Sequence, residues 1–383
     1  MKKKFKFIDL FSGIGAFHQA MKQLGGECVF ASEIDERCIE VYKKNYGIDS
    51  GFDITKVNEK DIPKHDVLCG GFPCQAFSKA GKQAGINDAR GTLFFEIARI
   101  LKYHHTKYIV LENVRNLVSH DGGNTWKTIH TILKDLGYRL TEKPLILSPH
   151  EFGIPQLRER VFILGMYDPE NIETTLEIKL PKLLSKNDNS VYSILDSNLP
   201  KDIDEYDELV LKIWDEFYKG INQKVIGFPI WVEYFKKSEN NLFPNWKNEF
   251  IKKNNKLYID NKEFIDMWLK KYNNLKELTP THRKFEWQAG ETIDTIYKGI
   301  IQYRPSGVRV KSPNVFPALV AMVQIPIIGR YKRRLTTREC ARLQSFPDDF
   351  IIDTDKHSAY KQFGNSANVT IIKTIAKELF RQK

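Results

Sequence analysis

The chain has 383 residues, 42% hydrophobic and 28% charged, with a formal net charge of +11. That length suits two domains or one domain carrying a large insertion, and the balance suits a globular protein with its own core. The five cysteines lie far apart, with no CxxC pair and no His cluster at zinc-ligand spacing. A disulfide framework and a structural metal are therefore not expected, and a reducing cytoplasm fits. The start, "MKKKFKFIDLFSG", has only a short apolar run broken by Asp9, so neither a signal peptide nor a membrane span is expected.

The first third reads as repeated strand–turn–helix units. "KFKFIDLF" is a short strand that ends at the turn "SGIGA", and "FHQAMKQLG" is an amphipathic helix closed by glycine. "CVFASEID" and "ERCIEVYKKNYG" form the next strand and helix, followed by strand "DVLCGGF" and helix "GTLFFEIARILKYH". Strand "YIVLENV" and helix "NTWKTIHTILKDLGY" complete the series. The alternation predicts an α/β, doubly wound, mostly parallel sheet with helices on both faces, whose ligands sit at the carboxyl ends of the strands. Asp9, Glu33, Asp53, Pro73–Cys74 and Glu112–Asn113 each fall at or just past such an end.

From about residue 182 the texture changes to the polar, irregular "LLSKNDNSVYSILDSNLPKDIDEYDE". "LVLKIWDEFYKGI" and "EFIDMWLKKYNNL" follow, apolar at helical spacing and rich in Trp, Tyr and Lys. Residues 183–335 are expected to form a smaller, irregular domain inserted between 1–182 and 357–383, with 336–356 as a hinge. The tail "SAYKQFGNSANVTIIKTIAKELFRQK" reads as a glycine turn and a helix that packs back on the first domain.

Several residues at the strand ends carry chemistry. In "FIDLFSGIGAF", Gly13 and Gly15 permit positive φ and close approach of a ligand, but His18 replaces the third glycine of a dinucleotide fingerprint. Glu33, 20 residues after Gly13, is placed to bind ribose hydroxyls, and Asp53 to accept from an adenine amine. Either acid is equally a solvated turn residue or a helix cap. In "GGFPCQAFSKAG", Cys74 follows proline and precedes a glycine-rich run bearing Lys79, Lys82 and Arg90. A free cysteine is ordinarily a small buried hydrophobe, which fits Cys69; the basic loop around Cys74 instead suits a thiolate. Glu112 in "LENVRNL" is either paired structurally or held for a proton role. Arg158 and Arg160 in "QLRERVFILG" sit on the same side of an extended segment, for planar multi-donor contacts or for surface ion pairs.

Taken in order, "DLFSGIGAF", "GGFPCQAFS", "ENVRNL", "QLRERVFILG", "RRLTTRECARLQSFPDDF" and "YKQFGNSANV" resemble the DNA (cytosine-5)-methyltransferase family of bacterial type II restriction–modification systems. The likeness spans roughly residues 5–165 and 333–383. It implies a Rossmann-like S-adenosylmethionine-dependent methyltransferase fold, with 183–335 as an inserted target-recognition domain. The implied reaction is methyl transfer to carbon 5 of a flipped-out cytosine in a short duplex sequence, through a covalent bond from Cys74 to carbon 6. By the same resemblance, Glu112 holds the ring nitrogen and exocyclic amine, and Arg158 and Arg160 polarise the base, with Arg158 closest to its carbonyl. Gln75, Ser78 and Asn113 complete the catalytic set. The cofactor contacts carried over are Phe11, Gly13, Ile14, Gly15, Glu33, Ile34, Asp53, Ile54, Pro73, Leu93, Asn365 and Ser366, and the product is S-adenosylhomocysteine.

This chain departs from the family at Ala16, where a second glycine is usual, and at Ile34, where an aromatic residue would stack on adenine. The DNA contacts expected are Lys79, Lys82, Arg90, Arg304, Arg309 and Lys311, with Arg304 and Arg309 reading bases or else only neutralising phosphates. Arg330, Lys332, Arg333 and Arg334 add to the basic density of that segment. The partners implied are double-stranded DNA and a cognate restriction endonuclease that acts on the same site without binding; the enzyme is expected to be a cytoplasmic monomer. A tRNA cytosine-5 methyltransferase would share the catalytic set. A catalytically inactive DNA-binding relative would have lost Cys74 or Glu112, and both are present.

Overall fold

The computed structural model describes residues 4–73, 93–238, 242–319 and 324–382. Met1–Asn189, Ala318–Met322 and Cys340–Lys383 form one compact unit, and Ser190–Pro317 with Val323–Glu339 form a second. The division moves the boundaries expected from sequence: residues 183–189, 318–322 and 340–356 all belong to the first unit.

The first unit begins with β1 (Phe5–Leu10), α1 (Ala16–Gln23), β2 (Gly26–Ser32) and α2 (Glu36–Tyr46). β3 (Val67–Gly71), α3 (Leu93–His104), β4 (Tyr108–Val114) and α4 (Asn124–Asp135) continue the alternation. β5 (Tyr138–Leu140), β6 (Leu145–Leu147), the two-residue β7 (Gln156–Leu157) and β8 (Arg160–Tyr167) follow. The main sheet runs β2-β1-β3-β4-β8-β5, with β6 also on β8. β2, β1, β3 and β4 are mutually parallel, and β8 runs antiparallel to β4, β5 and β6, so β8 alone opposes the common direction in this sheet. Strand order reverses between β1 and β3, which opens a crevice at their carboxyl ends.

The chemistry of the sheet follows its burial. β1 reads as a nearly continuous apolar run because both faces are covered: Phe7, Ile8 and Leu10 are fully buried. Leu68, Ile109, Leu111 and Ile163 of the neighbouring strands join Phe94, Ile97, Ile129 and Leu133 of α3 and α4 in one core. The chain returns through α8 (Thr337–Leu343) to α9 (Lys356–Asn365) and α10 (Val369–Leu379). The expected break before the last helix falls at 366–368, just past Gly364, which lies inside the last turn of α9. Asn368 caps α10 through the Ile371 amide at 3.1 Å. Val369, Ile371, Ile372, Ile375 and Leu379 form its buried stripe. At roughly 2 kcal/mol for each large apolar side chain, that face contributes on the order of 10 kcal/mol before ordering entropy.

The second unit is more regular than its sequence suggests. It holds a six-stranded sheet in the order Arg333–Arg334, Ile327–Ile328, Ile300–Arg304, Gly307–Lys311, Lys284–Trp287, Ile230–Trp231. Neighbours pair antiparallel except Lys284–Trp287 with Gly307–Lys311. These strands of two to five residues are too short to show a period in the sequence. Helices α5 (Glu205–Gly220), α6 (Asn245–Asp260) and α7 (Lys262–Lys271) complete the unit. Trp214 and Trp268 are buried at its centre, with Trp214 stacked on Phe285 at 4.7 Å between ring centroids. No helix among the described residues is long and apolar enough to cross a membrane.

Candidate active site

The carboxyl ends of β1, β3 and β4, together with the α9–α10 connection, enclose a cleft of about 500 Å³. Of the residues singled out in the sequence, Phe11, Gly13, Ile14, Glu33, Ile34, Pro73, Leu93, Glu112, Asn113, Arg160, Asn365 and Ser366 all line it. Ser12, Phe17, Asp35, Cys38, Gln362 and Gly364 line it too and were missed, although each flanks a motif quoted above.

At the β1 end the backbone carries the site. Gly13 has φ 53°, and a Cβ there would meet nothing within 4 Å, so its peptide is open to a ligand. Its N–H donates to Glu33 Oε2 at 2.8 Å, while Glu33 Oε1 accepts from the Ile34 and Asp35 amides at 2.8 and 2.9 Å. Three backbone donors thus hold one carboxylate rigidly at the end of β2. Phe11 sits at φ 55°, a strained conformation for a non-glycine residue and of a kind that collects at functional sites. Ile34 is 75% exposed at the rim.

Three expected cofactor residues are not in the lining. Gly15 (φ 88°) is a glycine for packing: a Cβ there would collide with the Tyr46 ring. Asp53 accepts from the Thr55 amide at 3.1 Å and the Thr55 hydroxyl at 2.7 Å, and pairs with Lys56 at 3.3 Å. Those Thr55 bonds hold its carboxyl below the usual range, and it serves as the cap of a short turn. Ile54 is buried beneath that turn.

At the β4 end the site is built from charge. Glu112 is 9% exposed, and its Oε1 lies 2.9 Å from Arg160 Nε. The β4–β8 register pairs Val114 with Arg160 and Glu112 with Phe162, so the two side chains meet diagonally across the strands. Burial pushes the Glu112 carboxyl above its ordinary pKa, and the Arg160 and Arg158 guanidiniums oppose that shift. Arg160 Nη1 also donates to the Glu159 carbonyl at 3.0 Å. Asn113 is structural: its Nδ2 donates to the Phe72 carbonyl at 2.9 Å and its Oδ1 accepts from the Val114 amide, tying the ends of β3 and β4 together.

Arg158 corrects the sequence reading most clearly. It is 3% exposed, does not line the cleft, and donates to the carbonyls of Leu319 (2.6 Å), Gly364 (2.7 Å) and Ser366 (3.0 Å). The expected same-side placement fails because β7 ends at Leu157 and β8 begins at Arg160, so strand alternation is broken between the two arginines. Arg160, not Arg158, is the guanidinium at the Glu112 carboxyl.

Cys69 is fully buried in β3, and burial raises its thiol pKa, in keeping with a core role. Cys74, Gln75, Ser78, Lys79, Lys82 and Arg90 lie outside the described residues.

In the second unit much of the expected basic density is neutralised internally. Arg309 pairs with Glu286 at 2.7 Å, Arg334 with Asp207 at 2.7 Å and Lys332 with Glu208 at 3.3 Å. Arg333 is buried in a two-pronged pair with Glu339 at 2.7 and 2.9 Å. Arg304, half-buried, ends its strand opposite Gly307 at the hairpin tip, and Lys311 is half-buried at the far end of the hairpin.

Comparison with known proteins identifies this arrangement. The family model of the C-5 cytosine-specific DNA methylases matches residues 5–381. The chain is 37% identical to Type II methyltransferase M1.ScrFI of Lactococcus lactis subsp. cremoris, covering 98% of this chain and 78% of the relative. It is 31% identical to Type II methyltransferase M.AluI of Cellulosimicrobium cellulans (99% and 92% covered) and 32% identical to M.HhaI of Haemophilus parahaemolyticus (97% and 93%). Among solved structures it shares its fold with the S. pombe Dnmt2 methyltransferase (TM-score 0.55, 16% identity, 99% and 98% covered). The same holds for Entamoeba histolytica EhMeth (TM-score 0.56, 20% identity, 99% and 98% covered). The chain belongs to the C-5 cytosine-specific DNA methylase family, on a Rossmann-like methyltransferase fold, and is a DNA (cytosine-5)-methyltransferase.

Proposed function

We propose that this enzyme methylates carbon 5 of a cytosine flipped out of a short duplex sequence, as the modification partner of a restriction endonuclease that reads the same site. The observation that carries the reading is the buried Glu112–Arg160 pair, set in one cleft with an open glycine turn and a backbone-held carboxylate. The residues present fit S-adenosylmethionine: Gly13 leaves room for close approach, Glu33 offers acceptor oxygens, and Phe11, Ile14 and Leu93 supply an apolar wall. When bound, that cofactor supplies an electrophilic methyl group and departs as S-adenosylhomocysteine.

The residue types answer a chemical problem. Carbon 5 of cytosine is a poor nucleophile until a group adds to carbon 6. The Cys74 thiolate forms that bond, and the displaced π electrons move into the ring towards carbon 5 and the N3 side. A protonated Glu112 donates to N3 as charge develops there, a role favoured by the upward push of burial on its pKa, and Arg160 stabilises the base carbonyl. After carbon 5 takes the methyl group, N3 returns its proton to Glu112, carbon 5 gives its own proton to a water molecule acting as base, and the electron pair of that C–H bond expels Cys74 as thiolate. Extruding the base from the duplex costs about a few kcal/mol, which the cleft contacts must offset.

Bisulfite sequencing of a plasmid expressed with this gene identifies the site and shows which nucleic acid is modified. A duplex carrying 5-fluorocytosine at that site then traps the enzyme covalently in the presence of cofactor. Adduct formation by Cys74→Ala would remove Cys74 as nucleophile, and an unmodified plasmid beside modified tRNA would redirect the substrate.

A further inference from the structure

Arg158 holds together parts of the first unit that are remote in sequence. Leu319 is 161 positions away, Gly364 206 and Ser366 208, yet one guanidinium reaches all three carbonyls. Two of these close the end of α9: Gly364 lies in its last turn and Ser366 is its C-cap. The last four carbonyls of a helix have no intrahelical donor, and a cation at that end also suits the helix dipole. The backbone so held, Gly364–Asn365–Ser366, is itself a wall of the cleft. The third carbonyl, of Leu319, belongs to the first unit although the residues just before Ala318 belong to the second.

The residue type is demanding. A planar, multi-donor guanidinium can serve three acceptors in fixed directions, whereas an ammonium on a flexible stem cannot hold the same fork. Its three acceptors are neutral carbonyls, and the nearby Glu112 opposes the desolvation of the guanidinium. Desolvation pulls the Arg158 pKa down to about 9, so the side chain remains charged at neutral pH.

We infer that Arg158 is a positioning residue that fixes the 364–366 wall and Leu319 in one arrangement, so that cofactor affinity depends on a side chain outside the cleft. The inference rests on the proposed reading that this cleft takes S-adenosylmethionine.

The test uses the full chain and its Arg158→Gln and Arg158→Lys variants, with S-adenosylhomocysteine binding followed by calorimetry and methylation by steady-state kinetics. Loss of charge-assisted hydrogen bonds predicts cofactor binding about 10-fold weaker or more for Arg158→Gln, with partial rescue by Arg158→Lys. At saturating S-adenosylmethionine, kcat should stay within about 3-fold of the parent, a KM effect with little kcat effect. Unchanged binding by folded Arg158→Gln would overturn the inference, as would loss of kcat without loss of affinity, which returns Arg158 to the base. If the parent enzyme binds no S-adenosylhomocysteine, the reading of the cleft fails instead. Should neither variant fold, hydrogen exchange in the parent decides: cofactor must slow the amides of Leu319 and of 364–366 together, and independent behaviour refutes the link.

Discussion

The two ends of the cleft are built on opposite principles. At the β1 end the recognition surface is backbone: an open peptide at Gly13 and a Glu33 carboxylate already gripped by three amides. At the β4 end it is desolvated charge, with Glu112 and Arg160 facing each other at 2.9 Å and little solvent between them and the core. The first end is preorganised by backbone donors; at the second, burial pushes the Glu112 pKa up while two guanidiniums oppose it. Substitutions should therefore separate affinity from chemistry.

The largest separation is expected at Glu112. Glu112→Gln keeps the shape and removes the proton donor, so methyl transfer in a single turnover should fall about 10²–10⁴-fold. Binding of S-adenosylhomocysteine should change less than about 2-fold, because no Glu33 or Gly13 contact is touched. Equal losses in both measurements would break the comparison and make Glu112 a structural residue.

Arg160 tests the electrostatics of the same end. Its guanidinium opposes the burial that raises the Glu112 pKa, so Arg160→Leu should raise that pKa further. Activity that needs protonated Glu112 would then keep its alkaline limb to higher pH than in the parent, while the maximal rate falls about 10²-fold. Stability carries the same sign. Folded Glu112 binds its proton more tightly than the unfolded chain does, so its contribution is full below the ordinary carboxylate pKa and is lost as pH rises through the raised folded value. A pH series of thermal midpoints should show that slope in the parent and not in Glu112→Gln. An alkaline limb that moves down in Arg160→Leu would refute the assignment.

At the β1 end the two glycines divide packing from binding. Gly15→Ala forces a methyl group into the Tyr46 ring and should cost on the order of 2 kcal/mol of stability, read by denaturant titration. Gly13→Ala meets only open space and should cost about 1 kcal/mol for its positive φ, but it crowds the ligand and should weaken cofactor binding several-fold. Asp53→Asn should leave cofactor affinity unchanged, because its carboxylate is taken up in capping a turn and does not line the cleft.

What the sequence revealed follows the same division. β1, β3 and β4 were legible because parallel strands buried on both faces give apolar runs, and the ends of such strands locate the site. Glu33 and Glu112 could be placed that way, since each is fixed by its own strand. The resemblance sets Arg158 closest to the base, whereas Arg160 is the one at Glu112: the break between β7 and β8 leaves no mark in "QLRER", and the carbonyls that bind Arg158 come from remote segments. The internal partners of Arg309, expected on DNA, and of Arg333, counted in the basic density, are not visible in charge counts: Glu286 lies 23 positions before Arg309, and Glu339 belongs to the next helix. The short strands of the second unit pair residues far apart, and their side-chain period never runs long enough to register.

The smallest effect, and the sharpest test of the backbone end, is expected at Ile34. Its side chain is 75% exposed at the rim, held on a backbone whose amide donates to Glu33. On the proposed reading an adenine lies against this rim; an aliphatic group offers it dispersion on one side only, whereas an indole adds a flat, polarisable face. Such a face is worth about 0.5–1.5 kcal/mol beyond area burial. Ile34→Trp should therefore tighten S-adenosylhomocysteine binding by about 2- to 12-fold and leave the single-turnover rate at saturating cofactor unaltered. Tightening without a change in rate would show that affinity at this end is set independently of the Glu112–Arg160 chemistry. A rate that moves with affinity would mean that the rim reaches the reacting atoms, and the two ends of the cleft would have to be treated as one.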